Sequence, residues 1–265
     1  MMNELLNYLI LGFVQGVTEF FPISSSGHLV LFEDFLDIDN AGASAEIIAH
    51  FGTLFSIIFF YRSTFFSNKK TDDFFHMNTL KMLTIATIPA VLLGLFDGFS
   101  ENFDLEVFFD YNFVKVALLC NGGFLIALSG LRDIMEKSTI FESPSQWEWN
   151  YKTSFFLGLF QALAMLPGIS RSGMVISYGL FVGLEKKKII QYAFFMAVPV
   201  IMLSIVYKLL FSDYGFEEIA FQPGLVLFLS SFIFGYFSLI FLIKFLERFS
   251  FAWFGLYCII ISLVL

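Results

Sequence analysis

A cluster of polar side chains interrupts the first apolar segment of the chain, FVQGVTEFFPISSSGHLVLF, at residues 13–32. Gln15 and Glu19 are four residues apart, so they share one face of a helix. A carboxylate in such a segment is costly unless it faces water or the protein interior. Glu19 is therefore a candidate catalytic carboxylate or metal ligand, with a structural ion pair as the alternative. Gln15 is a candidate metal ligand and substrate contact beside it.

A turn follows this first helix. Pro22 should stop the helix, and a second helix should begin near His28. Serine is a good N-cap, and the free N–H groups of a helix N-terminus, together with the helix dipole, bind anions. The turn is therefore a predicted anion site, with a plain capped turn as the alternative. Its candidate residues are Ser24, Ser25, Ser26, Gly27 and His28.

A second turn of the same kind is predicted at residues 167–173, PGISRSG. Arg171 stands there between Ser170 and Ser172, and the run ends in Gly173. An arginine inside an apolar segment needs a strong reason, and its guanidinium suits bidentate contact with phosphate or carboxylate. Two such helix N-termini facing each other would hold a multiply charged anion, and a diphosphate fits.

The composition of the chain excludes an ordinary soluble domain. Its 265 residues are 58% hydrophobic and 14% charged, and they include 39 phenylalanines. A soluble domain has about 25% charged residues. The chain therefore requires lipid around it and is predicted to be a polytopic helical membrane protein. No basic stripe suggests nucleic-acid binding. Cys120 and Cys258 are expected to be small core residues and not a disulfide or metal site.

The order of apolar segments and charges predicts a membrane topology. Candidate spans lie at residues 44–61, 79–96, 113–131, 189–211, 223–243 and 250–265, and two further segments, 5–32 and 154–181, are interrupted. Lysine and arginine concentrate in alternate connections, which places those connections in the cytoplasm. The alternation is consistent only if segment 154–181 enters and leaves on the cytoplasmic side. The same logic makes residues 1–32 a dip from the outer side. We predict an all-α fold with six full transmembrane helices and two re-entrant helix-turn-helix segments.

An internal repeat accompanies this topology. Residues 11–27 and 157–173 match without gaps at seven of 17 positions. Each half has one re-entrant segment and three crossings, so the second half is predicted to be inverted. Inverted repeats with broken helices form polar sites near the membrane midplane. We predict one membrane domain over 1–265, with repeats at 1–132 and 150–265. Gln161 matches Gln15, and Glu46 and His50 share a helix face, so these residues are candidates to support the site or line its cavity. For Glu46 and His50, an interfacial pair near the outer surface is the alternative.

Two segments of the chain, QGVTEFFPISSSGHL and QALAMLPGISRSG, resemble the signature segments of the undecaprenyl-diphosphate phosphatase family. These bacitracin-resistance-type proteins are integral-membrane enzymes of the bacterial envelope. The resemblance implies hydrolysis of undecaprenyl diphosphate to undecaprenyl phosphate and inorganic phosphate, helped by a divalent cation such as Mg²⁺ or Ca²⁺. It also implies an active site open to the outer face of the inner membrane, and recycling of the lipid carrier for peptidoglycan and other polymers. It leaves open whether the chain forms a homodimer.

The resemblance also implies which residues function. By motif position these are Gln15, Glu19, Ser24, Ser25, His28, Ser170, Arg171 and Ser172. Two positions depart from the family pattern. Val175 stands where a threonine is usual, and His50 stands where a glutamine is expected.

Several mechanisms remain open at this stage. Arg171 and the serines of both turns would clamp the phosphates, and Glu19 with Gln15 would hold the metal. We favour Ser25 as nucleophile with His28 as general base, against direct attack by His28 or by water that His28 activates. The prenyl tail is expected in a lateral apolar groove. A transporter or flippase for a prenyl-phosphate lipid is the competing class, but it would not need a carboxylate beside a Ser25–His28 pair.

Overall fold

The described part of the chain is entirely helical. In this computed structural model, residues 2–35, 42–65, 77–100, 105–137, 150–211 and 219–264 are described. They form a 3₁₀ turn at Leu105–Phe108 and the helices α1 (Met2–Thr18), α2 (Ser25–Phe35), α3 (Gly42–Phe60), α4 (Arg62–Phe65), α5 (Met77–Phe99), α6 (Tyr111–Lys137), α7 (Tyr151–Leu163), α8 (Arg171–Phe181), α9 (Lys186–Phe211), α10 (Phe221–Arg248) and α11 (Ala252–Val264). The predicted all-α class is confirmed.

Four of these helices are long and apolar enough to cross a membrane: α5, α6, α9 and α10. The described parts of α3 and α11 are shorter apolar helices. All six coincide with the six predicted spans. Large apolar side chains such as Phe96, Val116 and Phe237 are exposed on the long helices, as expected for residues that contact lipid. The protein is therefore a multi-pass membrane protein.

Glycines let the helices that lead into the site pack closely on their neighbours. A Cβ atom on Gly12 of α1 would overlap Ser230 Oγ on α10. A Cβ atom on Gly158 of α7 would lie 2.5 Å from the Ala86 carbonyl oxygen on α5. Small residues permit this approach between membrane helices. Since α1 packs along α10 and α7 along α5, the ends of α1 and α7 are held in place relative to these neighbours.

Both interrupted segments break where the sequence predicts a turn. Residues 19–24, the first turn, connect α1 to α2, and residues 164–170, the second turn, connect α7 to α8. Helix α2 begins at Ser25, three residues earlier than the predicted start near His28. The reason is local, because Ser24 Oγ accepts a hydrogen bond from the Gly27 N–H group at 3.2 Å and so caps the helix.

Parts of the charged connections that predict the orientation lie outside the described residues. These are residues 36–41, 66–76, 101–104, 138–149 and 212–218.

Candidate active site

The first and second turns meet, with glycines at the contact. A Cβ atom on Gly27 would lie 3.0 Å from the Cα atom of Gly168. In the same way, a Cβ atom on Gly173 would lie 3.1 Å from Pro22 Cβ. Gly168 also has a φ of +91°, a conformation that side chains disfavour. The N-termini of α2 and α8 therefore come together at one point.

The two turns cap their helices in the same way, at positions 146 residues apart in the sequence. Ser170 Oγ accepts from the Gly173 N–H group at 3.2 Å, as Ser24 Oγ does from Gly27. The serine two residues later contacts the capping hydroxyl in both turns. The Ser24–Ser26 oxygens are 3.4 Å apart and the Ser170–Ser172 oxygens 3.2 Å apart. Four predicted serines thus surround the point of contact.

Asn121 of α6, which the sequence analysis missed, bridges the two turns. Its Nδ2 donates to the Pro22 carbonyl at 3.3 Å, and its Oδ1 accepts from the Ser170 N–H group at 3.1 Å. The side chain is buried, at 2% exposure. An asparagine in the middle of an apolar span is itself a signal, because intramembrane polar groups need partners.

Glu19 is the centre of the cluster. Its Oε2 accepts from Ser25 Oγ at 2.6 Å and from Gln15 Nε2 at 3.0 Å, and its Oε1 accepts from Arg171 Nη2 at 2.8 Å. The Glu19 side chain is only 3% exposed and that of Arg171 is 21% exposed. The structure therefore brings together four of the predicted residues, two of them oppositely charged and from different turns.

Two buried atoms of this cluster have no hydrogen-bond partner among the described residues. They are Gln15 Oε1, an acceptor, and Arg171 Nη1, a donor. A buried unpaired polar atom is expensive, so such atoms in a native structure call for an explanation. One acceptor and one cationic donor beside a carboxylate are suited to a metal ion and an anion respectively.

The remaining predicted residues lie at different distances from Glu19. His50 Nε2 is 3.7 Å from Glu19 Oε2, and its Nδ1 donates to the Glu46 carbonyl at 2.8 Å. His50 therefore borders the cluster, and Glu46 lies one helical turn before His50 on α3. Gln161 instead donates to the Ala86 carbonyl at 3.4 Å and ties α7 to α5. Val175 belongs to the apolar core.

The predicted Ser25–His28 pair is not formed among the described residues. Ser25 donates to Glu19, and both ring nitrogens of His28 have other partners. His28 Nδ1 lies 2.7 Å from the Ser24 carbonyl oxygen, and Nε2 lies 2.9 Å from Tyr257 Oη. Since Ser25 is the first residue of α2, its hydroxyl points back to the first turn. The sequence offered no signal for Tyr257, which is one of ten tyrosines.

An apolar groove of about 400 Å³ is lined in part by this histidine. It lies between α1, α2, α10 and α11, and His28 and Tyr257 are among its few polar lining residues. Aromatic side chains dominate its walls: Phe13, Phe21, Phe32, Phe245, Trp253 and Phe254. The groove is suited to a hydrocarbon chain.

The described residues do not contain a dense metal centre. Among them, no three histidine, cysteine, aspartate or glutamate side chains come together in a way that could hold a metal ion. A metal at Glu19 would therefore need oxygen ligands of other kinds.

The chain is similar to known proteins over nearly its whole length. The family described as bacitracin resistance protein BacA matches residues 8–264. An undecaprenyl-diphosphatase of Sulfurihydrogenibium sp. is 32% identical over 263 residues, which cover 98% of this chain and 97% of the relative. An undecaprenyl-diphosphatase of Sulfurimonas denitrificans is 33% identical over 263 residues, with the same coverage of both chains. One of Persephonella marina is 31% identical over 258 residues, 97% of this chain and 95% of the relative.

Proposed function

The chain belongs to the bacitracin resistance protein BacA family, and we propose that it hydrolyses undecaprenyl diphosphate to undecaprenyl phosphate and inorganic phosphate. The relatives described above carry the name undecaprenyl-diphosphatase. The observation that carries the proposal is the Glu19 carboxylate, which holds the Ser25 hydroxyl at 2.6 Å and the Arg171 guanidinium at 2.8 Å. A nucleophile, a proton acceptor and a cation are thus adjacent at two helix N-termini.

This arrangement meets the needs of phosphoryl transfer. The reaction requires a positioned nucleophile and donors or cations on the non-bridging oxygens. Arg171 has a second nitrogen, Nη1, without a partner among the described residues, and it would contact the terminal phosphate. The first N–H groups of α2 and α8 add anion-binding capacity. Ser24, Ser26, Ser170 and Ser172 supply hydroxyl donors around the same point.

The geometry supports Ser25 as nucleophile with Glu19 as its proton acceptor. Ser25 Oγ would attack the terminal phosphorus while its proton passes to Glu19 Oε2. The bond from that phosphorus to the bridging oxygen breaks, and its electron pair leaves with undecaprenyl phosphate. Water then hydrolyses the phosphoserine and releases inorganic phosphate. Glu19 takes the role of base that the sequence had given to His28, because Glu19 is the group that accepts the Ser25 hydrogen bond.

A divalent cation fits the oxygen donors present here. Glu19 and the unpartnered Oε1 of Gln15 would hold it, and Mg²⁺ in particular often binds through one or two carboxylates plus substrate phosphates. When bound, Mg²⁺ or Ca²⁺ would supply charge neutralisation on the diphosphate.

The apolar groove would receive the prenyl chain. Each Å² of apolar surface removed from water contributes roughly 25 cal/mol of binding free energy. The prenyl chain therefore supplies affinity that the diphosphate head group does not. The groove is lined by His28 in the N-terminal part of α2, about one turn away from Ser25. A prenyl chain lying in the groove would thus place its diphosphate near the two turns.

We further propose the predicted topology of six crossings and two re-entrant segments in an inverted repeat. Turns at residues 19–24 and 164–170 interrupt the two segments, and the two turns meet, as re-entrant segments that enter from opposite sides of a bilayer would. In the proposed repeat, α1 is equivalent to α7, and α5 is equivalent to α10. Helix α1 packs against α10, and α7 packs against α5 in the corresponding way, which supports the repeat. As the family resemblance implies, both turns would be reached from the outer side of the inner membrane, and the product would be recycled for peptidoglycan synthesis. All residues of the proposed site come from one chain, so a homodimer is not needed to complete it.

Phosphate release tests the proposal. Purified protein in detergent would be given undecaprenyl diphosphate with Mg²⁺ or Ca²⁺, and then with EDTA. We expect release by the wild type, loss with EDTA, and loss in Glu19→Gln and Arg171→Ala. Glu247→Gln, an exposed glutamate near the end of α10, is the matched control and should keep wild-type activity. No release from folded wild-type protein would refute the enzyme, and leaflet exchange of undecaprenyl phosphate in liposomes would then test the flippase.

A further inference from the structure

Ser24 has an unusual backbone. Its φ of 68° is the only positive value among the described residues other than glycine. Residues with a side chain rarely adopt this left-handed conformation, and it persists where the surroundings hold it. Ser170, at the equivalent position of the second turn, caps its helix in the same way with a φ of −89°. Capping therefore does not require the left-handed conformation, and something else must hold Ser24.

His28 holds Ser24 from two directions. The Ser24 carbonyl oxygen accepts from the His28 backbone N–H group at 3.2 Å and from His28 Nδ1 at 2.7 Å. A carbonyl can only accept, so Nδ1 carries a proton. At the equivalent position of the second turn stands Met174, which donates through its backbone alone. The side-chain hydrogen bond thus occurs only in the turn with the left-handed serine.

Tyr257 in turn holds His28. The phenol oxygen lies 2.9 Å from His28 Nε2, and the two rings stack with centroids 5.7 Å apart and planes 10° apart. In the neutral imidazole a protonated Nδ1 leaves Nε2 as an acceptor, so Tyr257 donates. The hydrogen bond from Tyr257 and the stacking together hold the ring in the plane that presents the Nδ1 proton to the Ser24 carbonyl. Without the phenol hydroxyl, Nε2 would lose its donor.

We infer that Tyr257 is a positioning residue, which acts through His28 to keep Ser24 left-handed and thereby keeps the Ser25 hydroxyl on Glu19. The catalytic consequence of this inference rests on the proposed function. His28 is then a support of the first turn, and the reacting proton goes to Glu19. Both rings also line the apolar groove, so a bound hydrocarbon chain packs against the same support.

The kinetic test uses Tyr257→Phe, which keeps the ring and removes the hydroxyl. We expect kcat for undecaprenyl diphosphate to fall by about 10- to 100-fold, because a nucleophile displaced by about 1 Å loses that much. KM should stay within about twofold, since the variant keeps the ring that lines the groove and the hydroxyl it removes is bonded to His28. The control is Tyr236→Phe on α10, whose ring packs on Phe59, and it should keep wild-type kcat. Wild-type kcat in Tyr257→Phe, or a raised KM alone, would overturn the inference.

A spectroscopic test does not depend on activity. Nitrogen-15 NMR of the imidazole rings reports the tautomer, and His50→Gln and His76→Gln assign the three histidines. We expect His28 protonated at Nδ1 in the wild type and a mixture of tautomers in Tyr257→Phe. An unchanged His28 spectrum would overturn the inference even if kcat fell. If the wild type released no phosphate, the proposed function would fail, and the spectra would still decide whether Tyr257 holds His28.

Discussion

Removal of Arg171 should destabilise the protein more than removal of the Glu19 charge. Replacing Arg171 by methionine keeps the length of the side chain but leaves a carboxylate that is 3% exposed without its cation. Breaking a buried ion pair costs about 3–5 kcal/mol. Glu19 keeps its hydrogen bonds from Ser25 and Gln15, so we expect the lower end, about 3 kcal/mol, or roughly two powers of ten in the unfolding equilibrium.

Glu19→Gln should cost less, about 1 kcal/mol, because the amide keeps a hydrogen bond to Ser25. Arg171 would then be unpaired but 21% exposed, so water can reach it. In the double variant neither charge remains, and we expect a loss of about 2 kcal/mol instead of the additive sum. The coupling energy of about 2 kcal/mol lies within the range for contacting residues.

The assay is reversible unfolding in mixed detergent micelles, followed by circular dichroism for the wild type, both single variants and the double variant. Additive losses in the double variant would refute the reasoning, because they would mean that Glu19 and Arg171 do not interact. A Glu19→Gln loss larger than that of Arg171→Met would refute the argument from exposure.

Three other variants test separate parts of the site. Asn121→Leu leaves the two turns without their bridge, so we expect a loss of about 2 kcal/mol in the same unfolding assay together with slower phosphate release; wild-type unfolding would contradict this role. Gly27→Ala should lower both stability and phosphate release, because its Cβ atom would lie 3.0 Å from Gly168 Cα, whereas Gly123→Ala, with nothing within 4 Å, should be neutral or slightly stabilising; equal effects would contradict the contact between the turns. Val17→Trp should fill part of the groove and raise KM for undecaprenyl diphosphate by about tenfold, with a smaller effect on a short prenyl diphosphate; equal effects on both substrates would count against a prenyl chain in the groove.

The sequence identifies charged residues that the structure brings together, for a physical reason. Glu19, Gln15 and Arg171 stand out because polar groups in apolar segments are costly unless they have partners. The structure brings these three groups together with Ser25. The same reasoning applies to Asn121, which a stricter search for polar residues in spans would have found.

The predicted hydrogen bond between Ser25 and His28 is not formed in the part of the chain that the structure describes. The prediction placed both residues at a turn before a helix that begins near His28, but Ser24 caps the helix and places its start at Ser25. Ser25 therefore faces Glu19, while the His28 ring turns back to the Ser24 carbonyl. Tyr257 comes from the last helix, 229 residues away in the chain from His28. Only the tertiary packing of α11 brings it there, and no local pattern encodes that contact.

The ion pair between the two turns also constrains how the protein is made. Glu19 and Arg171 are 152 residues apart in the chain, so Glu19 enters the membrane long before its cation has been synthesised. A charged side chain at the centre of a membrane helix costs about 2.5–3.5 kcal/mol during insertion. Until the second turn arrives, the carboxylate depends on groups from the first half of the chain, such as the donors Gln15 and Ser25. The first turn thus gains its ion pair with Arg171 only after the second half of the chain has entered the bilayer. Docking of the two turns is therefore a late step in biogenesis.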